Sequence, residues 1–331
     1  MSLDSTIQRF REQPLRILIT GAGGFVGHHL ANHLGSSQPT ATLCGTTLFP
    51  EETVSPAIAI ARQIDLKEAR QARDLLGDFA PDVIFHLAAQ AFVPRSFEDP
   101  WETLENNIRA QLNIIQACLE LDLRPRTVII SSAEIYGAVS PAQLPLDERT
   151  EIRPTNPYSV SKVAQDMLAL QYHLSHGLPI MRARPFNHIG PGQNARFVAP
   201  AFAIQIAKIE ANMQEPFIYV GNLDAKRDFT DVRDIARAYK LIAEKGRAGE
   251  AYNVASGRGN SVRHILNSLL GLTDIEIEVR VDQARLRPVD IPEIRGDAGK
   301  LRGDTGWAPR FSLQETLRDV LADCRRRVNS A

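Results

Sequence analysis

The sequence predicts a doubly wound α/β fold, in which helices cover both faces of a parallel sheet and a smaller C-terminal domain is interleaved with it. Short apolar, β-branched segments alternate with helix-like segments as far as Arg184. A glycine cluster follows the first apolar segment directly, and the alternation breaks after Arg184. Strands separated by helical segments need right-handed crossovers, which make the sheet parallel and bring helices to both of its faces.

The elements of the first half follow from this alternation. Apolar, β-branched runs predict strands at 15–20, 41–46, 57–64, 83–87, 127–130 and 179–182. Apolar residues at helical spacing predict helices at 25–34, 67–79, 101–121 and 158–176.

The second half begins with the segment FNHIGPGQNARF, which is rich in glycine, proline and asparagine and marks a new layer. A helix at Val198–Glu210 and a strand at Phe217–Val220 follow, and a helix at 231–245 and a strand at 251–255 then return the chain to the main sheet. We therefore expect interleaved domains, one of 1–185 plus 231–256 and the other of 186–230 plus 257–331.

The composition excludes several classes of protein. The 331 residues correspond to roughly two domains of about 150 residues each. With 38 basic and 39 acidic residues the net charge is −1, so we expect no nucleic-acid partner. Cys44, Cys118 and Cys324 form no CxxC pair, which argues against a zinc ribbon or a disulfide framework. The chain shows no apolar run of about 18 residues and no signal-peptide core, so we expect a cytoplasmic protein with no membrane partner.

The glycine cluster TGAGGFVG joins the first predicted strand to the first predicted helix. Gly21 permits the tight turn, Gly24 lets the backbone approach a pyrophosphate, and Gly27 allows the helix to pack closely on the sheet. The helix begins at Phe25 and Val26, where free N–H groups and the helix dipole favour negative charge. The alternative is a purely structural turn, but the strand before and the helix after favour a Rossmann-type site for a dinucleotide.

The sequence leaves open whether the dinucleotide is NAD or NADP. A carboxylate at the end of the second strand normally binds the ribose 2′-hydroxyl of NAD, whereas an arginine accommodates the 2′-phosphate of NADP. The corresponding residues 45–48 are Gly-Thr-Thr-Leu and offer neither. Asp65 and Leu66, after the third predicted strand, are candidates for the adenine end, with an N-cap of the next helix as the alternative for Asp65.

A candidate proton-transfer group is formed by Tyr158 and Lys162, whose spacing of four places both side chains on one helix face. A tyrosine of ordinary pKa is a poor acid or base near neutral pH, and we expect the neighbouring ammonium to lower the pKa of Tyr158. Ser132 follows the strand at 127–130 and would reach the C-terminal edge of the sheet, where its hydroxyl could hold a substrate oxygen.

TGAGGFVG, SSAEIYG and YSVSK, in this order, resemble the extended short-chain dehydrogenase/reductase family over nearly the whole chain. The resemblance implies that Ser132, Tyr158 and Lys162 are catalytic and that Lys162 also holds the nicotinamide ribose. It also implies that the HLAAQ segment passes beneath the cofactor. The candidate cofactor contacts in and beyond that segment are Leu87, Ala88, Ala89 and His188, the last with a loop-capping role as its alternative.

ARPFNHIGPGQ, GNLDAKRDFTDVRD, LRPVDIP and TGWAP look like the branch of this family that acts on GDP-linked 6-deoxyhexoses. A planar guanidinium donates two hydrogen bonds to phosphate, as this nucleotide diphosphate would require. Arg227 and Arg287 are the candidates for this contact. The alternative for Arg227 is an ion pair with Asp228 or Asp231, and the alternative for Arg287 is a position in a solvated loop. The resemblance places against the sugar nucleotide the residues Asn187, Val198, Arg227, Arg287 and Asp290.

Two reactions of that branch compete. The motifs FNHIGPGQ and RDFTDVRD favour NAD(P)H-dependent reduction of the 4-keto group of GDP-4-keto-6-deoxy-D-mannose. Glu134 matches the carboxylate that a GDP-mannose 4,6-dehydratase needs at C5, so its catalytic role stays open beside a structural one in the loop. A nucleotide-sugar 4-epimerase and a non-catalytic dinucleotide sensor are further alternatives.

The long helices at 101–121 and 158–176 carry more apolar residues than a single buried stripe needs. The family resemblance implies that they pair with those of a second copy in a four-helix bundle, which predicts a homodimer; the alternative is burial against the sheet. His28, His29 and His33 cluster on the first predicted helix, but no further ligand stands at suitable spacing, so we predict no metal site.

Overall fold

The computed structural model describes residues 14–282 and 291–330. The strands are, in chain order, β1 (Arg16–Thr20), β2 (Thr42–Thr47), β3 (Ile60–Gln63), β4 (Val83–His86), β5 (Arg126–Ile130), β6 (Ile180–Pro185), β7 (Asn187–Ile189), β8 (Phe217–Val220), β9 (Lys226–Asp231), β10 (Ala251–Val254), β11 (Gly259–Ser261), β12 (Glu278–Val281) and β13 (Glu293–Ile294). The helices are α1 (Phe25–Ser37), α2 (Ala69–Phe79), α3 (Val93–Glu98), α4 (Pro100–Glu120), α5 (Pro157–His176), α6 (Val198–Glu210), α7 (Val232–Lys245), α8 (Val262–Leu270), α9 (Gly299–Thr305) and α10 (Leu313–Asn329).

The main sheet has seven strands in the order β10-β6-β5-β4-β1-β2-β3, and every neighbouring pair is parallel. Helices α1 and α7 cover one face, where Leu30 and Tyr239 are fully buried. Helices α2, α4 and α5 cover the other face through residues such as Leu76, Ile114 and Ala169. The predicted doubly wound fold is confirmed, and β10 returns to the main sheet as expected.

The predicted strand at 57–64 is too long. Its first residues form a turn, in which the Ser55 Oγ accepts a hydrogen bond from the Ala57 N–H at 3.1 Å and the Ser55 carbonyl accepts one from Ile58 at 3.0 Å. The turn seats Ala57 against Gly35 of α1, where a Cβ on the glycine would lie 2.7 Å from that of Ala57. Strand β3 therefore begins only at Ile60.

The second unit has its own core, in which α6, α8 and α10 pack around β8 through Ile206, Leu266, Leu317 and Ile218. Strand β9 pairs with β7, β11 and β13, and β8 pairs with β12. The predicted domain boundaries stay a prediction. Three residues near the C-terminal end pack into the core of the main sheet, although the boundaries assign them to the other domain: Ala298, Leu301 and Trp307.

The parallel strands bring their C-terminal ends to one edge, where Thr20 of β1 lies beside His86 of β4. His86 in turn lies beside Ile129 of β5, so the segments after these three strands are neighbours. Ligands bind at this edge in open parallel sheets. No helix within residues 14–282 and 291–330 combines the length and the apolar character needed to cross a bilayer.

Candidate functional site

The glycine turn fits a dinucleotide diphosphate. Gly21 has φ of +67°, and a Cβ there would lie 3.0 Å from the Ala88 backbone. A Cβ on Gly27 would lie 2.5 Å from the Gly21 carbonyl oxygen, so only glycine lets α1 pack this closely. The N-cap, Gly24, offers no side chain to the first turn of α1, and that turn carries no acidic residue. Its N–H groups and dipole therefore form a site for phosphate oxygens.

The HLAAQ segment lies directly against this turn. Leu87 N–H donates to the Thr20 carbonyl at 3.3 Å, and Ala88 N–H donates to the Thr20 hydroxyl at 3.2 Å. Leu87, Ala88 and Ala89 are half-buried. The structure thus brings the predicted cofactor contacts of β1 and β4 together.

His188 joins the same cluster from β7. Its ring stacks with that of Phe25, with centroids 6.2 Å apart and planes 7° apart, and its Nδ1 donates to the Phe186 carbonyl at 3.0 Å. Burial lowers the pKa of His188, which favours a neutral imidazole near the start of α1. Val26 packs against the core of the main sheet.

Asp65 and Leu66, the two candidates for the adenine end of the cofactor, lie between β3 and α2. The Asp65 carboxylate accepts a hydrogen bond from the Lys67 N–H at 2.9 Å. The N-cap of α2 is Glu68, so the alternative assignment of Asp65 as an N-cap is wrong. Leu66 is buried in the core between α2 and α4, and its carbonyl accepts a hydrogen bond from the Asn113 Nδ2 at 2.8 Å.

The predicted catalytic residues meet between β5 and α5. Ser132 follows β5 and caps a short 3₁₀ turn at Ala133–Tyr136, accepting a hydrogen bond from the Glu134 N–H at 3.1 Å. Tyr158 stands in the first turn of α5, which begins there because Asn156 and Ser159 form a capping box. Ser132 lies near the Tyr158 phenol and acts to lower its pKa. The pair is thus set by two helix-capping motifs at the C-terminal edge of the sheet.

Lys162 is buried one turn further along α5, where its Nζ donates to the Ile130 carbonyl at 2.8 Å. It lies 6.0 Å from the centre of the Tyr158 ring. Burial lowers the pKa of Lys162 to about 7.

The prediction that the Lys162 ammonium lowers the pKa of Tyr158 is wrong. Burial raises the pKa of Tyr158 to about 12, opposed by the nearby Ser132 and reinforced by the negative charge of Glu134. Lys162 does not lower the pKa because its ammonium is directed at the backbone of β5 and is itself desolvated.

Glu134 lies close to this pair. Its Oε2 accepts a hydrogen bond from the Asn156 Nδ2 at 3.4 Å, and its carboxylate is half-buried. The donor is the side-chain amide of Asn156, just before α5, so the structural alternative of bonding to nearby loop amides stays open beside the catalytic role. The structure therefore brings Glu134, Ser132 and Tyr158 together.

The three predicted substrate residues that the structure describes lie on the second unit. Asn187 is exposed on β7, and Val198 opens α6. The Arg227 Nη1 on β9 donates to the Ile291 carbonyl at 2.7 Å. Arg287 and Asp290 lie outside the described residues.

The two carboxylates considered as partners of Arg227 are bound elsewhere. Asp228 is buried and accepts hydrogen bonds from the backbone of Ser256, Gly257 and Gly296 at 2.8–3.2 Å. The Asp231 Oδ2 lies 2.6 Å from the Arg233 Nη2.

Sequence reasoning missed the buried carboxylate of Asp166, which binds Arg182 and Arg184 of β6. Its spacing was a usable signal, since Asp166 follows Lys162 by four and Tyr158 by eight residues on one helix face. It also missed Asn107 of α4, which is fully buried and donates to the Ser161 Oγ of α5 at 2.8 Å.

Comparison with known proteins extends this picture to the whole chain. The sequence profile of the family described as GDP-mannose 4,6 dehydratase matches residues 18–320. The chain is 36% identical over 313 residues to a GDP-6-deoxy-D-mannose reductase of Pseudomonas aeruginosa, covering 95% of this chain and 98% of the relative. It is 30% identical over 299 residues to a GDP-6-deoxy-D-talose 4-dehydrogenase of Aggregatibacter actinomycetemcomitans, covering 90% and 94%.

Solved structures agree with the sequence relatives. The structure of RMD from Pseudomonas aeruginosa complexed with NADPH has a TM-score of 0.85 at 36% identity and covers 95% of this chain and 99% of that chain. A UDP-glucose 4-epimerase of Thermus thermophilus in complex with NAD has a TM-score of 0.83 at 27% identity, with coverage of 94% and 99%. The predicted resemblance is confirmed, and the chain belongs to the GDP-mannose 4,6-dehydratase family of extended short-chain dehydrogenases/reductases.

Proposed function

We propose that the chain reduces the 4-keto group of GDP-4-keto-6-deoxy-D-mannose with NADH or NADPH. The observation that carries the proposal is the buried Tyr158 phenol near the buried Ser132 hydroxyl, where burial keeps the tyrosine protonated at neutral pH. Reduction of a carbonyl needs one such proton donor. The 36% identical relative, named a GDP-6-deoxy-D-mannose reductase, supports the choice of substrate.

The predicted class of enzyme and class of cofactor are confirmed. The chain is an NAD(P)-dependent enzyme of a family that modifies nucleotide sugars, and structural neighbours carry NADPH or NAD. The glycine turn and the uncapped first turn of α1 fit the diphosphate of such a cofactor.

The residues of the site have separate tasks in this reaction. The cofactor, when bound, supplies the hydride that C4 of the sugar receives. Ser132 orients the carbonyl oxygen through its hydroxyl, and Tyr158 donates its proton to that oxygen as negative charge develops there. Lys162, with a pKa lowered to about 7, exchanges a proton near neutral pH, and its Nζ is held by the Ile130 carbonyl one helix turn beyond Tyr158.

The nucleotide half of the substrate is assigned to the second unit. Asn187 and Val198 flank the loop that leads from β7 to α6, and both are accessible. Arg227 donates to the carbonyl of Ile291, so its guanidinium lies beside the chain that follows residues 283–290. We infer that Arg227 and Arg287 neutralise the GDP diphosphate and that Asp290 lies near the nucleotide sugar.

A second candidate is the 4,6-dehydration of GDP-mannose. It is favoured by Glu134, whose carboxylate lies close enough to Tyr158 to raise the pKa of the phenol. A dehydratase needs a base for the C5 proton in addition to the Tyr158 pair, and Glu134 is the carboxylate in the right place for it.

We further propose that the protein is a cytoplasmic homodimer. The outer surfaces of α3, α4 and α5 expose large apolar side chains, with Phe97, Trp101 and Leu174 between 63% and 74% exposed. Helices α4 and α5 also pack closely on each other. A second copy applied to these helices would bury this surface in a four-helix bundle. The three cysteines are buried free thiols, which is consistent with a reducing compartment.

Replacement of the proton donor tests the function. Tyr158→Phe should lower kcat for reduction of GDP-4-keto-6-deoxy-D-mannose by about 10²–10⁴-fold, with NADPH binding unchanged. The readout is the loss of nicotinamide absorbance together with NADPH fluorescence titration. Tyr172→Phe, on the same helix and stacked on His176, is the matched control and should retain full activity. A Tyr158→Phe enzyme with the wild-type rate would contradict the proposal.

Lys162→Met should increase stability while removing activity. In the folded protein the pKa of Lys162 is about 7, below its usual 10.5, so the unfolded chain binds more protons between these values. The buried charge therefore costs most below about pH 7. We expect a gain of about 1–3 kcal/mol in the free energy of unfolding at low pH, and the gain should shrink as the pH rises toward 10.5.

Urea denaturation across this pH range measures the effect. Lys208→Met, an exposed lysine on α6, is the control and should change stability by less than about 0.5 kcal/mol at every pH. A Lys162→Met variant that is less stable than the wild type in the acidic half of the range would contradict the prediction.

Glu134→Gln separates the two reactions. For a reductase the variant should keep its rate within about tenfold of the wild type, a change of about 1.4 kcal/mol in the barrier. For a dehydratase the wild type should convert GDP-mannose alone to a 4-keto product, and the variant should not. Mass spectrometry of the products distinguishes these outcomes, with the exposed Glu151→Gln as the control.

A charge on the exposed face of α5 tests the dimer. Leu174 is 74% exposed, and Leu174→Glu should convert a dimer to the 36.7 kDa monomer in light scattering, because a carboxylate would be buried unpaired at the interface. Met213→Glu, 62% exposed on the second unit, should leave the dimer intact. A wild-type protein that is already monomeric would disprove the proposed interface.

A further inference from the structure

A carboxylate lies at the end of β2, although residues 45–48 contain none. We propose that Glu52 sets the choice of cofactor and makes this chain prefer NAD(H) to NADP(H). The inference rests on the proposed NAD(P)-dependent function and concerns only the adenosine end of the site.

In the loop after β2, the side chain of Glu52 folds back onto the first residues of the loop. The Glu52 Oε2 accepts hydrogen bonds from the Leu48 N–H at 2.8 Å and the Phe49 N–H at 3.1 Å. The Glu52 N–H in turn donates to the Phe49 carbonyl at 3.2 Å. Two successive N–H groups that converge on one oxygen form an anion-binding nest. This nest is filled by the protein's own carboxylate.

The same loop is fastened to the glycine turn. Thr46, at the end of β2, accepts hydrogen bonds from the Ala22 N–H at 2.8 Å and from the Gly21 N–H at 3.3 Å. A Cβ on Gly23 would lie 3.0 Å from the Glu52 Cβ. Glu52 therefore lies directly beside the turn that fits the diphosphate.

The far side of the loop is fixed by α1. The His28 Nε2 lies 2.9 Å from the Thr53 carbonyl oxygen and donates to it. The loop is thus attached to α1 at Thr53, and the Glu52 carboxylate is held by the amides of Leu48 and Phe49.

A carboxylate at that position favours an adenosine ribose without a 2′-phosphate. The adenosine ribose of a dinucleotide bound on such a turn reaches the end of the second strand. A carboxylate there accepts hydrogen bonds from ribose hydroxyls. A 2′-phosphate would bring about −1.5 to −2 charges toward Glu52 and would find the Leu48 and Phe49 amides already bound.

The cation of Arg62 opposes this preference. Arg62 of β3 lies opposite Thr46 in the sheet and is exposed. Its Nη1 donates to the Ala61 carbonyl at 3.2 Å, and it stands on the outermost strand of the sheet, whereas Glu52 packs on Gly23. We therefore expect the carboxylate to prevail.

Binding of two cofactor fragments tests the inference without any reaction. Isothermal titration should give a dissociation constant for ADP-ribose that is about tenfold or more below that for 2′-phospho-ADP-ribose. Glu52→Gln should reduce this ratio by about tenfold or more. Glu51→Gln, an exposed neighbour, should keep the wild-type ratio. Tighter binding of the phosphorylated fragment by the wild type, or an unchanged ratio in Glu52→Gln, overturns the inference.

Arg62→Ala keeps the test decisive if Glu52→Gln does not fold. If Glu52 sets the choice, the Arg62→Ala variant should keep the preference for ADP-ribose or increase it, because the cation that attracts a 2′-phosphate is gone. A wild type without a preference, which gains one in Arg62→Ala, assigns the choice to Arg62 instead. Failure of the wild type to bind either fragment would reject the dinucleotide site and the proposed function with it, whereas binding of both fragments with equal affinity rejects the role of Glu52 alone.

Discussion

The buried carboxylate of Asp166 joins α5, which carries Tyr158 and Lys162, to strand β6. Asp166 of α5 accepts hydrogen bonds from Arg182 at 2.7 Å and from Arg184 at 2.9 Å, both on β6. Burial opposes its ionisation, but the hydrogen bonds and charges of the two arginines prevail and hold the pKa of Asp166 below its usual range. Arg184 also donates to the Tyr136 hydroxyl at 3.1 Å, in the turn that Ser132 begins. The positions of Ser132, Tyr158 and Lys162 therefore depend on one network, in which each charge is costly without its partner.

Burial also favours the neutral form of both Tyr158 and Lys162. The same desolvation that raises the pKa of Tyr158 lowers that of Lys162, so the neutral phenol is favoured and the ammonium is not. A neutral phenol is an acid, which suits the reduction of a carbonyl. Oxidation of an alcohol, the first step of a dehydratase, would need the phenolate, which Glu134 disfavours further through its charge. The electrostatics of the protein's own groups thus agree with a reductase.

The parts of the molecule that could be predicted from the sequence depend on local chemistry, and the rest depends on contacts distant in sequence. The glycine turn requires φ above zero at Gly21, and periodicity predicts the seven strands of the main sheet and six of the ten described helices to within a few residues. The turn at Ala57, by contrast, exists because this residue packs on α1, so an apolar run there does not imply a strand. The pKa of Tyr158 depends on where the ammonium of Lys162 points, and spacing along a helix does not fix that direction. Glu52 lies four residues after Leu48 in the sequence, and the loop brings its carboxylate to the end of β2. The residues of the strand end themselves therefore include no acid.

The C-terminal region contributes side chains to both cores of the molecule. Trp307 is fully buried in the core of the main sheet, and its indole N–H donates to the Asp234 carbonyl at 3.0 Å. The Asp234 carboxylate also receives the N–H groups of Arg310 and Phe311 at 2.7 and 3.0 Å, just before α10 enters the second core. A chain cut after residue 256 would leave the nucleotide-binding half with a hole the size of an indole. A nucleotide-binding half produced on its own would therefore need this C-terminal segment to complete its core.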